Sequence, residues 1–222
     1  MQTEPRAKRP RTASREVRRR QLIEATITSI ADHGISGTTM ASVTGLAGLS
    51  MGIVGFHFQN KENLFRETLI FLADEHRDCW QRRLDVCDQT PAAKLEAIIA
   101  AAFDPQICTH QRIAVWFGFF GERRYRESYR ERITEYDMER KQILCDVCTD
   151  LAAAEPGDDI DPLAIAEALE CFSDGLWLSL ILYPEYLSPD AAQGHIRLYL
   201  ERIFPASFPA TPKGAGPTAC EA

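Results

Sequence analysis

The sequence predicts an all-α chain, and three observations predict it. Apolar residues recur at helical spacing, and no alternating run is bounded by hairpin-turn residues. Three helix starts are written as a capping side chain followed by proline: Thr90-Pro91, Asp161-Pro162 and Ser188-Pro189. Glycine or Gly/Pro clusters stand where the apolar stripes stop, at Gly34, at Gly48 and in AEPGDD at 154–159.

The elements follow in order. From about Arg15 to His33, Leu22, Ile23, Ile27 and Ile30 form one apolar stripe, and Gly34 ends that helix. Thr38 or Thr39 can cap a second helix whose Met40, Val43 and Leu46 can face a core. Gly48 sits where the chain must reverse, a place for positive φ, and Leu49 can fill the space beneath the turn. Ser50 is placed to cap a third helix, Met51 to about His57. Gly52 and Gly55 each weaken that helix by about 1 kcal/mol relative to alanine. Close approach of the backbone to another surface is a better reason for them than propensity.

A fourth helix is expected from about Lys61 to Val86, followed by helices starting near 91, 162 and 189 and two more over about 107–121 and 123–154. From Phe204 the chain turns rich in Pro, Ala and Gly, which reads as a flexible tail. The expected organisation is a basic, disordered arm (1–14), a three-helix head (15–60), a helical body (61–203) and a tail (204–222).

Charge separates the head from the body. Residues 1–20 hold eight basic and two acidic side chains, whereas the rest of the chain holds 17 and 30, so a net charge of −7 conceals a positive end on a negative body. Such asymmetry suggests a phosphate-binding end. No stretch approaches the roughly 20 apolar residues of a membrane span, and the basic N-terminus lacks the apolar segment of a signal peptide. Seven cysteines at unrelated spacings fit reduced thiols, and a cytoplasmic location is expected.

Two short helices joined by a glycine turn and followed by a lysine have the layout of a helix-turn-helix DNA reader. The segment from Arg18 to Phe65 resembles the DNA-binding domain of TetR-family transcriptional regulators. The shared features are the opening helix, the Gly34 break, the Thr-Thr cap at 38–39, the AGLS turn at 47–50, the aromatic close His57-Phe58 and Lys61. Within that family the likeness is nearest to choline-responsive repressors of glycine-betaine synthesis. It rests on RRRQLI at 18–23, SMGIV at 50–54, FD at 103–104, AVWFGFF at 114–120 and DGLWL at 174–178. The resemblance implies a repressor that binds a palindromic double-stranded DNA operator as a homodimer, paired through its last two helices. It assigns DNA contact to Arg18, Thr39, Ser50, Met51, Gly52, Ile53, Val54, His57 and Lys61. Three positions depart from the family: His57 stands where tyrosine is usual, Phe56 where histidine is usual, and Met51 where a polar residue is usual. Met51 suggests an apolar contact with a thymine methyl.

The body is rich in aromatics. Trp116, Phe119 and Phe120 lie at i, i+3, i+4 and share a helix face, and Asp174 and Trp177 are i, i+3 partners on another. A quaternary ammonium such as choline cannot donate hydrogen bonds from its nitrogen. It is held by aromatic faces beside a carboxylate. Trp116, Phe119, Phe120, Asp174 and Trp177 are therefore the candidate effector residues, with Asp104 and Glu122 as other sources of negative charge. The same aromatics at the same spacing would also describe an ordinary core.

Other chemistry finds little support. Cys145 and Cys148 form a CxxC on one helix face, without the second pair that a zinc site needs. No two histidines have ligand spacing, and there is no phosphate loop or nucleophile elbow. No metal, no cofactor and no enzymatic activity are expected.

Overall fold

The computed structural model describes residues 15–156 and 160–210. The basic arm, residues 157–159 of the predicted loop and the last part of the predicted tail lie outside the described residues. Among the described residues there are nine α-helices and no strand. They are α1 Arg15–Gly37, α2 Met40–Ala47, α3 Met51–Phe58, α4 Lys61–Val86, α5 Pro91–Ala102, α6 His110–Gly121, α7 Arg123–Ala154, α8 Pro162–Leu182 and α9 Pro189–Ile203. The chain divides into two compact units between Thr68 and Leu69, inside α4 rather than before it. The first two turns of α4 belong to the first unit because Leu64, Phe65 and Thr68 are wholly buried.

In the first unit Leu22, Ile23, Ile27 and Ile30 of α1 are buried together with Val43, Val54, Phe58, Leu64 and Phe65. Gly34 interrupts α1 at φ 71°, ψ 173°, a conformation that suits glycine and few other residues. Two bonds to its carbonyl, from the Thr38 amide at 3.1 Å and the Thr38 hydroxyl at 2.9 Å, fix the exit of the chain. Thr39, not Thr38, is the N-cap of α2. Its hydroxyl accepts from the Ser42 amide while the Ser42 hydroxyl accepts from the Thr39 amide, each at 3.0 Å, a reciprocal box with serine in place of the usual glutamate. The expected core stripe of α2 needs correction. Val43 is buried but Leu46 is 53 % exposed, and Thr44 is buried in its place. At about 100° per residue, Leu46 falls far round the helix from the face shared by Met40, Val43 and Thr44.

The second unit holds the remainder of α4 and the five helices α5–α9. The three cap-proline starts are in place: Thr90 accepts from Ala93, Asp161 from Leu163 and Ala164, and Ser188 from Ala191. Salt bridges tie the helices across their polar edges. Arg77 pairs with Glu139 at 2.8 Å, Arg112 with Glu75 at 3.0 Å and Lys141 with Glu167 at 2.6 Å. On α8, Ala166, Leu169, Leu176, Trp177 and Leu180 are buried, as are Ile196 and Leu200 on α9. Leu163, Leu178, Leu182 and Leu198 are exposed.

The expected flexible tail also needs correction at its start. Phe204 and Phe208 are wholly buried, the Phe208 amide bonds to the Phe204 carbonyl at 2.8 Å, and Arg197 lies over the Phe208 ring. The carboxylate of Glu155, at the end of α7, accepts from the Ala206 amide at 3.0 Å. Proline-rich composition marks absence of helix, and two aromatic rings are enough to fold such a segment onto a core.

Phe208→Ala should therefore lower stability by about 3–5 kcal/mol, the usual range for emptying a core site of an aromatic ring. Denaturant titration of the full chain checks this; a change within 0.5 kcal/mol, in the range of surface substitutions, would show the segment to be a free tail.

Candidate functional site

Two sites emerge, one in each unit. In the first, Gly48 adopts the left-handed conformation, φ 63°, ψ 31°. Its amide bonds to the Gly45 carbonyl at 3.2 Å and the next amide, of Leu49, reaches back to Thr44 at 3.1 Å. This paired closure ends α2 and lets α3 leave at 109° to it. That angle lies in the range of DNA-reading helix pairs.

Ser50 takes the extended N-cap conformation of α3, φ −78°, ψ 154°, but its hydroxyl makes no capping bond. α3 presents one buried side, Val54 and Phe58, and one open side. Ser50, Met51, Gly52, Gly55 and Phe56 are exposed, while Ile53 and His57 are half-buried. A Cβ added at Gly52 or Gly55 would meet nothing within 4 Å, so nothing inside the chain requires a glycine there. Val54 was expected to contact DNA; its side chain is fully enclosed in the core, so that expectation is corrected. Thr39 is exposed at the start of α2, with its hydroxyl held by the capping box.

Positive charge frames the open side. Arg15 lies over the exposed Phe56 ring, 5.2 Å from its centroid, and Arg18 is half-buried on the same helix. Arg19 is pinned instead, by Glu67. The Lys61 ammonium rests 3.5 Å from the Ile35 carbonyl and 5.0 Å from the centre of the Phe65 ring, which aims it without an acidic partner. Burial, and then Arg15 and Arg19, lower the His57 pKa below the ordinary imidazole value. His57 is therefore a neutral imidazole at pH 7. The sequence reading missed the two residues before Lys61. Gln59 ends α3 at φ 66°, and the Asn60 side chain accepts from the Asn63 amide at 2.8 Å to start α4. An asparagine three residues ahead of a helical amide is a readable cap signal.

The second site is a cavity of about 60 Å³ in the second unit. It brings together Trp116 and Phe120 from α6 with Asp174 and Trp177 from α8. The Trp116 and Phe120 ring centroids are 5.8 Å apart. The Trp177 indole donates to the Ala102 carbonyl at 2.9 Å, which locks its ring. Phe119, the fifth candidate, is not among the lining residues. It is buried on the other side of α6, edge-on to Tyr125 at 5.2 Å. A shared i, i+3, i+4 face spans more than one neighbour, and this one is divided between cavity and core. Asp104 is elsewhere, paired with Arg83 at 2.7 Å.

Other lining residues were missed, chiefly His76 on α4 and Asp137 and Arg140 on α7. His76 is half-buried beside the Trp177 ring, and desolvation followed by Arg140 pushes its pKa down to about 3, so it is neutral. Burial raises the Asp174 pKa; Arg140 opposes this and Asp137 adds to it. Arg140 is paired with Glu170 at 3.2 Å. The signal was present as helical spacing: Asp137 and Arg140 are i, i+3 partners. Sequence alone could not say that their face meets Asp174.

The two thiols of the CxxC differ in exposure, with Cys145 half-buried. Cys148 is wholly buried and its thiol is pushed up to about 12, mainly by burial. Among the described residues no three ligand side chains converge on a metal position. No single described helix is long and apolar enough to cross a membrane.

Both units have counterparts among known proteins. Residues 22–68 match the family described as bacterial regulatory proteins, tetR family, and residues 91–205 match the BetI-type transcriptional repressor C-terminal domain. The HTH-type transcriptional regulator BetI of Paraburkholderia xenovorans is 32 % identical over 197 residues, covering 87 % of this chain and 97 % of the relative. BetI of Burkholderia mallei is equally similar, with the same coverage. Among solved structures, a transcriptional regulator from Pseudomonas aeruginosa PAO1 superposes with a TM-score of 0.71 at 22 % identity, covering 88 % of this chain and 94 % of that one. A regulator from Saccharomonospora viridis in complex with choline gives 0.70 at 17 %, covering 84 % and 96 %. FadR from Bacillus subtilis in complex with stearoyl-CoA gives 0.67 at 17 %, covering 82 % and 96 %. The chain belongs to the TetR family of bacterial transcriptional regulators and carries a BetI-type repressor domain in its second unit.

Proposed function

We propose that this regulator represses genes of choline and glycine-betaine metabolism and is released from its operator by choline or a related quaternary ammonium. The observation that carries this reading is the cavity wall. Trp116, Phe120 and Trp177 offer aromatic faces, Asp174 and Asp137 offer carboxylates, and His76 stays uncharged beside them. Each aromatic face contributes about 0.5–2 kcal/mol to a cation that it meets out of water. The one cavity-lining guanidinium not paired with Glu139, that of Arg140, is engaged by Glu170. Asp174 stands beside this pair as a further carboxyl group for a ligand.

Size ranks the ligands. A cavity of about 60 Å³ must open for any organic cation, and far more widely for an acyl chain such as that of the stearoyl-CoA bound by the Bacillus FadR. The choline complex of the Saccharomonospora regulator supports the fold's capacity for a choline-sized ligand. The other reading, a sensor of a different lipophilic or cationic molecule, is weakened by that size for long-chain ligands.

On the DNA side, Ser50, Met51, Gly52, Ile53, His57, Lys61 and Arg18 form the contact set, with Thr39 at its edge. Two copies of the chain supply two heads. The exposed Leu163, Leu178, Leu182 and Leu198 on α8 and α9 are the surface through which a homodimer would form. Release then follows from linkage: a ligand that favours one arrangement of the heads weakens operator binding by the factor with which DNA weakens ligand binding. α4, which carries cavity residues and Lys61 on one helix, is the element that couples the two sites.

Titration calorimetry of the full chain should show choline binding with glycine betaine much weaker, because the betaine carboxylate would face Asp137 and Asp174. Asp174→Asn and Trp177→Ala should each weaken choline by about tenfold or more. Absence of heat at millimolar choline would remove the reading. Burial raises the Asp174 pKa, so below that raised value a cation must displace a proton from this carboxyl group. Choline affinity should therefore rise with pH through the acid range and level off once Asp174 is ionised in the free protein.

Two substitutions test the DNA face. Gly52→Ala should leave thermal stability equal or raise it by about 1 kcal/mol, since it improves helix propensity and meets no neighbour. The same change should weaken operator binding, because the added carbon faces the groove. Lys61→Ala should weaken all duplexes about equally and reduce the salt slope by about 1. Equal binding by wild type and Gly52→Ala would show that α3 does not approach DNA closely.

A further inference from the structure

The open side of α3 carries almost no side chain able to read a base edge by hydrogen bonding. Its exposed and half-buried residues are Met51, Gly52, Ile53, Gly55, Phe56 and His57. Arginine, lysine, asparagine and glutamine, the side chains that make bidentate contacts to guanine or adenine, are absent from Met51–Phe58. The hydroxyl of Ser50 stands at the helix N-terminus, where a phosphate oxygen is the natural partner. His57, half-buried between the Phe56 and Phe58 rings at 5.2 and 6.0 Å, is neutral and at the far end of the helix. Gln59 and Asn60 lie beyond that end, and the Asn60 oxygen is already used to start α4.

What α3 does offer is apolar. Met51 is 51 % and Phe56 67 % exposed, an unusual outlay of large apolar surface for a two-turn helix. Ile53 adds a half-buried branched side chain between them. Among the described residues, the Arg15 guanidinium lies over the Phe56 ring and His57 packs edge-on to it. Residues 1–68 carry ten basic and six acidic side chains, so the surroundings favour a polyanion over an apolar protein partner. In the major groove of duplex DNA the one apolar feature is the thymine C5-methyl group.

Resting on the DNA-binding reading above, we propose that α3 reads its half-site through thymine methyl groups, with Met51, Ile53 and Phe56 as the specificity-determining residues. Phe56 is the largest contributor. Affinity comes from phosphate contacts by Lys61, Arg18 and the arginines before it, which carry no sequence information. The half-site is therefore set by where thymines stand on either strand, and not by guanine-directed hydrogen bonds from this helix.

The test uses the full chain and duplexes that it selects from a random pool. Thymines enriched in each half-site are then replaced by uracil, which keeps every hydrogen-bonding group and deletes only the methyl. Binding of the unaltered protein should fall about fourfold for each contacted methyl, the value of one buried methyl-sized group. In parallel, enriched guanines are replaced by 7-deazaguanine, which should change binding less than twofold. Phe56→Ala and Met51→Ala, at exposed positions that should leave the melting temperature unchanged, should bind the thymine duplex less tightly and lose the thymine–uracil difference. Equal binding to thymine and uracil duplexes, with loss on 7-deazaguanine, would overturn the proposal while leaving DNA binding intact. Failure to enrich any duplex would overturn the DNA reading and this inference with it.

Discussion

A guanidinium cannot shed its charge on burial, and Arg140 brings one into the wall of the body's cavity. The surrounding chemistry answers that constraint. Glu170 pairs with it directly, Asp137 and Asp174 stand near, and His76 is driven to its neutral form partly by its field. One fixed positive charge thus organises three carboxyl groups and an imidazole from α4, α7 and α8. That excess of carboxyl groups over the Arg140 charge is what supports the proposal of a cationic ligand.

The two units use opposite divisions of labour. In the body, aromatic rings shape a small space and, in the proposed function, the carboxyl groups decide the sign of what enters. In the head, charge surrounds the contact face while the face itself is nearly apolar. Both units therefore separate attraction from discrimination, with different residue types doing each. Their connection is α4, whose Lys61 end is packed with the head and whose His76–Trp80 stretch lines the cavity.

Local chemistry was legible where one residue decides the backbone. Gly48 announced positive φ, Gly34 announced a break in α1, and Thr90, Asp161 and Ser188 ahead of proline announced helix starts, because caps and turns act within three or four residues. Legibility failed where a helix face had to choose its neighbour. Leu46 followed the apolar spacing of α2 yet is solvent-exposed; Val54 sat in the middle of the reading helix yet belongs to the core; Phe119 shared a face with Trp116 yet packs on Tyr125. Spacing defines a face but not what covers it. Composition misled at Phe204 and Phe208, where proline content hid two buried rings. Arg140 and His76 were invisible as site residues, since nothing in one strand of sequence places α4, α7 and α8 around a common space.

All three tryptophans of the chain, Trp80, Trp116 and Trp177, line the same cavity, and none lies in the head. The indole emission of this protein is consequently the emission of one chamber. A cation seated among those rings would alter nearly the whole signal, whereas DNA on α3 would alter it only through changes relayed to the body. The protein thus carries an intrinsic optical probe confined to its body, with no label attached.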